Sequence, residues 1–111
     1  MSELKSKKCV PCKGDTPKLE GPAAEKLLQE LDGWEILAGK LHKTFRFKNF
    51  RQAMQFVNPM AEIAEAENHH PNFCVNYREV DVTIWTHAID GLSENDFILA
   101  AKYDAVPRVS T

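Results

Sequence analysis

Phe73-Cys-Val-Asn-Tyr-Arg-Glu-Val-Asp-Val-Thr-Ile-Trp-Thr-His87 is the stretch whose period decides the fold. It reads as two strands, Phe73 to Arg78 and Val80 to His87, joined by a tight turn. Val80, Val82, Ile84 and Thr86 fall on one face of the second strand; Asp81, Thr83, Trp85 and His87 fall on the other. One apolar and one polar face is the pattern of an antiparallel sheet covered on one side only. Phe73 and Tyr77, alternating with Val75, read as core positions before they read as ligand-stacking groups.

Upstream, Pro71 blocks helix and pushes His70 toward extended backbone. Before it, Asn49 can cap a long helix from Phe50 to about Asn68. Its stripe is Phe50, Met54, Val57, Ala61 and Ala64, widened by Phe56, Met60 and Ile63. Pro59 sits inside that helix and predicts a bend near Val57 or a helix in two pieces. Further upstream, Trp34 to Ala38 and Leu41 to Phe47 form a hairpin about Gly39-Lys40. Leu41, Lys43, Phe45 and Phe47 share a face there, an alternation that only Lys43 spoils. A first helix begins near Pro22, buries Ala24, Leu27, Leu28 and Leu31, and ends at Asp32-Gly33. Downstream, Ser93-Glu-Asn-Asp96 is a capping box opening a last helix. Phe97, Ile98, Ala101 and Ala105 point inward from it, and Pro107 ends it. The order α-β-β-α-β-β-α predicts an α+β fold: a four-stranded antiparallel sheet with three helices on one face.

The chain has 111 residues, 43% hydrophobic and 27% charged, which suits one domain with one modest core. Residues 1–18 are set apart from this domain, 19–111: five lysines among prolines and glycine read as a flexible basic tail. A net charge of −2 argues against nucleic acid as the direct partner. No apolar run approaches the ~20 residues of a membrane span, and the N-terminus has no hydrophobic signal core, so cytoplasmic residence is expected. Cys9, Cys12 and Cys74 are an odd set for a disulfide framework. Cys9-Val-Pro-Cys12 lacks both the strand-to-helix setting of a redox motif and the second pair of a zinc ribbon.

Three of the four histidines, His69, His70 and His87, lie within about twenty residues and at element ends. Glu65 precedes them and Asp96 follows. Imidazole exchanges protons near neutral pH, so the cluster points to acid/base chemistry or to metal. Each member also has a plainer reading. A histidine at a helix end can simply meet the helix dipole, Asp96 is explained as a capping residue, and Glu65 as an exposed helix carboxylate. His42 has no neighbouring motif and reads as surface. Metal is disfavoured, because adjacent histidines do not easily chelate one ion and no H-E-x-x-H is present. Nor is there a Gly-x-Ser-x-Gly elbow or a catalytic-cysteine context around Cys74.

Together, Glu65-x-x-x-His69-His70-Pro71, Tyr77, His87 and Asp96 resemble the signature of the pterin-4a-carbinolamine dehydratases. The resemblance extends through Leu27-Leu28, Gly33-Trp34, Phe45-Arg-Phe47 and Gly91-Leu92-Ser93, and Cys9-Val-Pro-Cys12 is similar to the leader of many bacterial members. It implies the fold read above, as homodimers or homotetramers that extend the sheet across subunits. It implies loss of water from 4a-hydroxytetrahydropterin (pterin-4a-carbinolamine) to give quinonoid dihydropterin, recycling the cofactor of aromatic amino acid hydroxylases. Neither metal nor organic cofactor is implied. His69, His70 and His87 would carry the proton transfers, His70 closest to the ring, with Glu65 and Asp96 orienting imidazoles. Asn68, Pro71, Phe73, Thr86 and Ala88 would line the pocket. This chain departs from many relatives in having Phe73 where they have Trp, and in Pro59 below the site. Some relatives are binding partners of other proteins, so a non-catalytic interaction or assembly module is the alternative. Such a module has no need of three histidines plus Asp96.

Overall fold

The computed structural model describes residues 4–7, 9 and 18–106. Its elements are α1 (Gly21–Leu28), β1 (Glu35–Leu37), β2 (Lys40–Arg46), α2 (Phe50–Glu67), β3 (Asn72–Asn76), β4 (Glu79–Ile84) and α3 (Glu94–Asp104). Short 3-10 turns occur at Leu4–Ser6 and His87–Ile89. The strands form one antiparallel sheet in the order β1-β2-β4-β3, so the α+β architecture is the one the sequence predicts.

The centre of the sheet is the β2–β4 ladder. Leu41 faces Ile84 and Phe45 faces Val80, and all four are buried against the helices. Lys43, the residue that spoils the alternation, points to the same side opposite Val82. Its ammonium reaches the Asp104 carboxylate at 2.8 Å and the Asp32 carbonyl at 2.6 Å, while Trp34 Nε1 donates to the same Asp104 at 3.0 Å. A charge at a core-facing position is tolerated because it is paired where α3 ends.

Several local expectations are corrected. The first hairpin turns on Ala38-Gly39, not Gly39-Lys40; both have positive φ (51° and 75°), the geometry that matches strand twist in a two-residue loop. Helix α1 stops at Leu28, and Leu31 follows through two tighter bonds, Glu30 N–H to Leu27 and Leu31 N–H to Leu28. Helix α2 is continuous through Pro59 rather than split. The carbonyl left without its usual donor is that of Gln55, an exposed position where water can replace the bond. The buried stripe of α2 is also rotated: Gln52, Ala53, Phe56, Val57, Met60 and Ala64 face inward, whereas Phe50, Met54 and Ala61 are exposed.

Phe73 and Tyr77 are not core residues; they are 42% and 66% exposed. Strand β3 is a sheet edge, and Tyr77 takes φ 57° to make the turn into β4. Helix α3 is buried more completely than its sequence stripe suggests. Leu99, Ala100 and Tyr103 are buried as well as Phe97, Ile98 and Ala101, and Ala105 is exposed at the C-cap. The cause is that α3 packs on β2, on α2 and on the turn Leu4–Ser6. Leu4 is therefore a core residue, which the reading of 1–18 as a flexible tail does not anticipate. Lys7 also pairs with Glu94 at 2.8 Å, and the Cys9 N–H donates to Glu67 at 2.8 Å. Cys12, the rest of the tail and Pro107 lie outside the described residues.

Candidate active site

Asn68 ends α2 in the left-handed conformation (φ 54°), and this reversal sends the next two side chains in different directions. His69 turns inward and is buried; His70 turns outward and is exposed. Each ring meets a carboxylate.

His69 Nε2 lies 2.6 Å from Asp96 Oδ1, and Asp96 is fully buried. The other carboxylate oxygen accepts from the Ser93 N–H at 2.8 Å and from Thr86 Oγ1 at 2.9 Å. Thr86 has one hydroxyl proton and gives it to Asp96, so Ser93 is the donor in the 2.8 Å contact between the two hydroxyls. The Ser93 side chain in turn accepts from the backbone at Asp96, closing the capping box. The α3 N-terminus adds a favourable field for the negative charge. Asp96 is thus both a cap and the anchor that fixes His69 with its Nε2 proton toward the carboxylate.

His70 Nε2 lies 2.6 Å from Glu65 Oε2 across the last turn of α2. Both side chains are exposed, and the contact engages Nε2 and not Nδ1.

The sequence places His87 at the end of a strand, but β4 ends at Ile84 and His87 opens a 3-10 turn. The reason is Thr86. Its backbone pairs with Gly91 in an isolated antiparallel bridge, which forces the chain between them into a tight loop. His87 and Ala88 are exposed on that loop. Thr86, expected as a pocket wall, is 1% exposed and belongs to the Asp96 network instead.

These contacts join the predicted residues into one path. His70 and His69 are adjacent, His69 bonds Asp96, Asp96 bonds Thr86, and Thr86 is followed by His87. Pro71, next to His70 in the chain, lines a cavity of about 480 Å³ together with Asn72, Phe73, Cys74, Asp81 and Thr83. Two expected pocket residues, Pro71 and Phe73, are in that lining, and the histidines are not. Asn68 is exposed at the helix end. Ser93, bonded to both Thr86 and Asp96, is a member of this network that the sequence reading did not name among the candidate site residues. Among the described residues, no group of three or more His, Cys, Asp or Glu side chains is arranged to hold a metal ion.

Comparison with known proteins bears on the whole of this region. The family profile described as "Pterin 4 alpha carbinolamine dehydratase" matches residues 17–106. The chain belongs to the pterin-4a-carbinolamine dehydratase family.

Among its relatives in this family, a provisionally named pterin-4-alpha-carbinolamine dehydratase of Rubrobacter xylanophilus is 50% identical over 105 residues, 94% of this chain and 98% of that protein. One of the same provisional name from Nitrosomonas europaea is 50% identical over 103 residues, 92% of this chain and 91% of that protein. A solved structure of a transcriptional coactivator/pterin dehydratase from Brucella melitensis superposes with a TM-score of 0.78 at 34% identity, covering 80% of this chain and 97% of that one. The family match spans every residue of the His70–His69–Asp96–Thr86–His87 path. Among the described residues, no helix is long and apolar enough to cross a membrane.

Proposed function

We propose that this pterin-4a-carbinolamine dehydratase family member removes water from 4a-hydroxytetrahydropterin by histidine acid/base catalysis. The C4a–O bond breaks, the N5–H proton leaves, the electron pair forms the N5=C4a bond, and the products are quinonoid dihydropterin and water. One imidazole takes the N5 proton and another gives a proton to the departing hydroxyl. His70 works closest to the ring, its Nδ1 presented by the Glu65 contact, while His69 and His87 serve opposite faces of C4a. Asp96 holds the His69 ring. Asn68, Pro71, Phe73 and Ala88 border the substrate, and Thr86 acts from behind, through Asp96.

The observation that carries this reading is the bonded path from His69 through Asp96 to Thr86, which ties the His69-His70 pair to the base of His87. A network serving only to cap α3 needs Ser93 and Asp96; it does not need an imidazole at 2.6 Å. The reaction is proposed to run without metal or organic cofactor in the cytoplasm, recycling the pterin of an aromatic amino acid hydroxylase. The exposed edge β3 is proposed to pair with a second copy in a homodimer or homotetramer. Stopped-flow measurement with freshly generated carbinolamine tests the chemistry: turnover should be retained in chelator. Turnover abolished by chelator and restored by zinc would replace this mechanism with a metal one.

A second reading is favoured by one finding, the coactivator name carried by the Brucella melitensis relative. In that reading the exposed Phe50 and Met54 of α2 form a docking face for another protein. A chain that fails to accelerate dehydration would leave this reading standing.

A further inference from the structure

His69 and His70 are each held by a carboxylate, but His87 is not. Among the described residues no side chain hydrogen-bonds its imidazole, and the ring lies instead against Trp85, centroids 4.2 Å apart and planes 17° from parallel. Lys40 Nζ is 4.4 Å from the centroid of the same indole. The imidazole and the ammonium thus both contact the one indole. The register explains the assembly. Leu41 is paired with Ile84, and Lys40 and Trp85 each stand one step beyond that pair, on the face of the sheet away from the helices.

We propose that Trp85 is a positioning residue for His87, braced by the Lys40 ammonium; this rests on the dehydratase reading above. A carboxylate partner occupies one imidazole nitrogen, as Asp96 and Glu65 do for the other two rings. A flat stack fixes the plane of the ring and occupies neither nitrogen. His87 can then offer both nitrogens to substrate and water while sitting on an exposed loop that would otherwise let it swing. Cation–π attraction from Lys40 holds the indole in turn.

The test uses the full chain and Trp85→Ala, Trp85→Phe and Lys40→Met variants, each first confirmed by its melting curve. Two readouts are taken: ring-proton NMR shifts of His87, and the separate kcat and KM for carbinolamine dehydration. In the parent, the His87 ring protons should lie upfield of a free histidine because of the indole ring current. Trp85→Ala should abolish that shift and lower kcat about 10²-fold, the effect of an ångström-scale misplacement, with little change in KM. Trp85→Phe should restore most of both, and Lys40→Met should fall between. Parent shifts at free-histidine values, or a Trp85→Ala kcat within a few-fold of the parent, would overturn the proposal while leaving the dehydratase assignment intact. A parent inactive toward the carbinolamine overturns the dehydratase reading and the catalytic role of the stack together, and the ring shifts then report separately whether the stack itself exists.

Discussion

His69–Asp96 and His70–Glu65 both close at 2.6 Å, yet the side chains of the first pair are 9% and 0% exposed and those of the second 53% and 76%. Two neighbouring residues thus carry the same chemical pairing into opposite surroundings. In the buried pair, Asp96 is surrounded by donors from His69, Ser93 and Thr86, and no water is available to replace a lost partner. In the exposed pair, water and salt compete with the contact throughout. The buried pair is therefore part of what holds the fold, whereas the exposed pair contributes little to it. Asn68 produces both surroundings, because its left-handed turn sends His69 inward and His70 outward.

The largest effect should come from Asp96→Ala. Removing the buried Asp96 carboxylate leaves His69, Thr86 and the Ser93 N–H without that acceptor, and each buried group so left costs about 1–3 kcal/mol. Denaturant melts should show that drop together with loss of turnover. Asp96→Asn keeps an oxygen for the Ser93 N–H and should lose less stability than Ala but still lose turnover. A melt of Asp96→Ala matching the parent would erase the distinction between the two pairs.

Next is His70→Ala. A positioned proton-transfer group contributes typically about 10²–10⁴-fold in rate, so kcat should fall by that order. Stability should change by less than about 1 kcal/mol, since the pair lost is exposed. Parent-like turnover would remove His70 from the mechanism.

Tyr103 shows what a buried polar group is without a network like that of Asp96. It is fully buried on α3, and among the described residues its hydroxyl has no hydrogen-bond partner. Burial, and secondarily the charge of Cys9 nearby, push its pKa far above the ordinary 10.0. The unfolded chain then loses this proton at a pH where the folded chain keeps it. The stability contributed is complete below pH 10 and declines above it, by about 1.4 kcal/mol per pH unit. Alkaline melts should show that slope, and Tyr103→Phe should flatten it. A variant as pH-sensitive as the parent would place the ionisation elsewhere.

The sequence is most informative where order is local. The alternation Val80, Val82, Ile84 and the Ser93–Asp96 spacing predict β4 and the start of α3, and both are found. It is least informative where a distant element decides. The α2 stripe is rotated because the sheet and α3, not the helix's own pattern, choose which side is buried. His87 leaves the strand because Gly91 captures Thr86. Asp96 reads locally as a cap worth about 1 kcal/mol; its bond to His69, 27 residues away, is invisible to any local rule. Resemblance to a family named these site residues, but only the contacts distinguish a buried anchor from an exposed partner.

Glu65→Gln should have the smallest effect and tests that distinction most closely. The Gln amide oxygen can still accept from His70 Nε2, so the ring stays oriented and only the charge is lost. The pair is open to solvent, so the melting curve should move by no more than the ~0–1 kcal/mol that exposed ion pairs contribute. Turnover should fall far less than in His70→Ala, because the proton-transfer group itself remains. The loss should also shrink as salt is raised, since screening weakens in the parent the same charge that the variant lacks. Glu65→Ala removes the acceptor as well, and its additional loss of turnover measures orientation separately from charge. Comparison with Asp96→Asn sharpens the test: both exchange a carboxylate for an amide 2.6 Å from a histidine, but Asp96 is buried and also accepts from Ser93 and Thr86, whereas Glu65 is exposed. Equal destabilisation by the two substitutions would mean that neither burial nor the additional donors at Asp96 separate the two pairs.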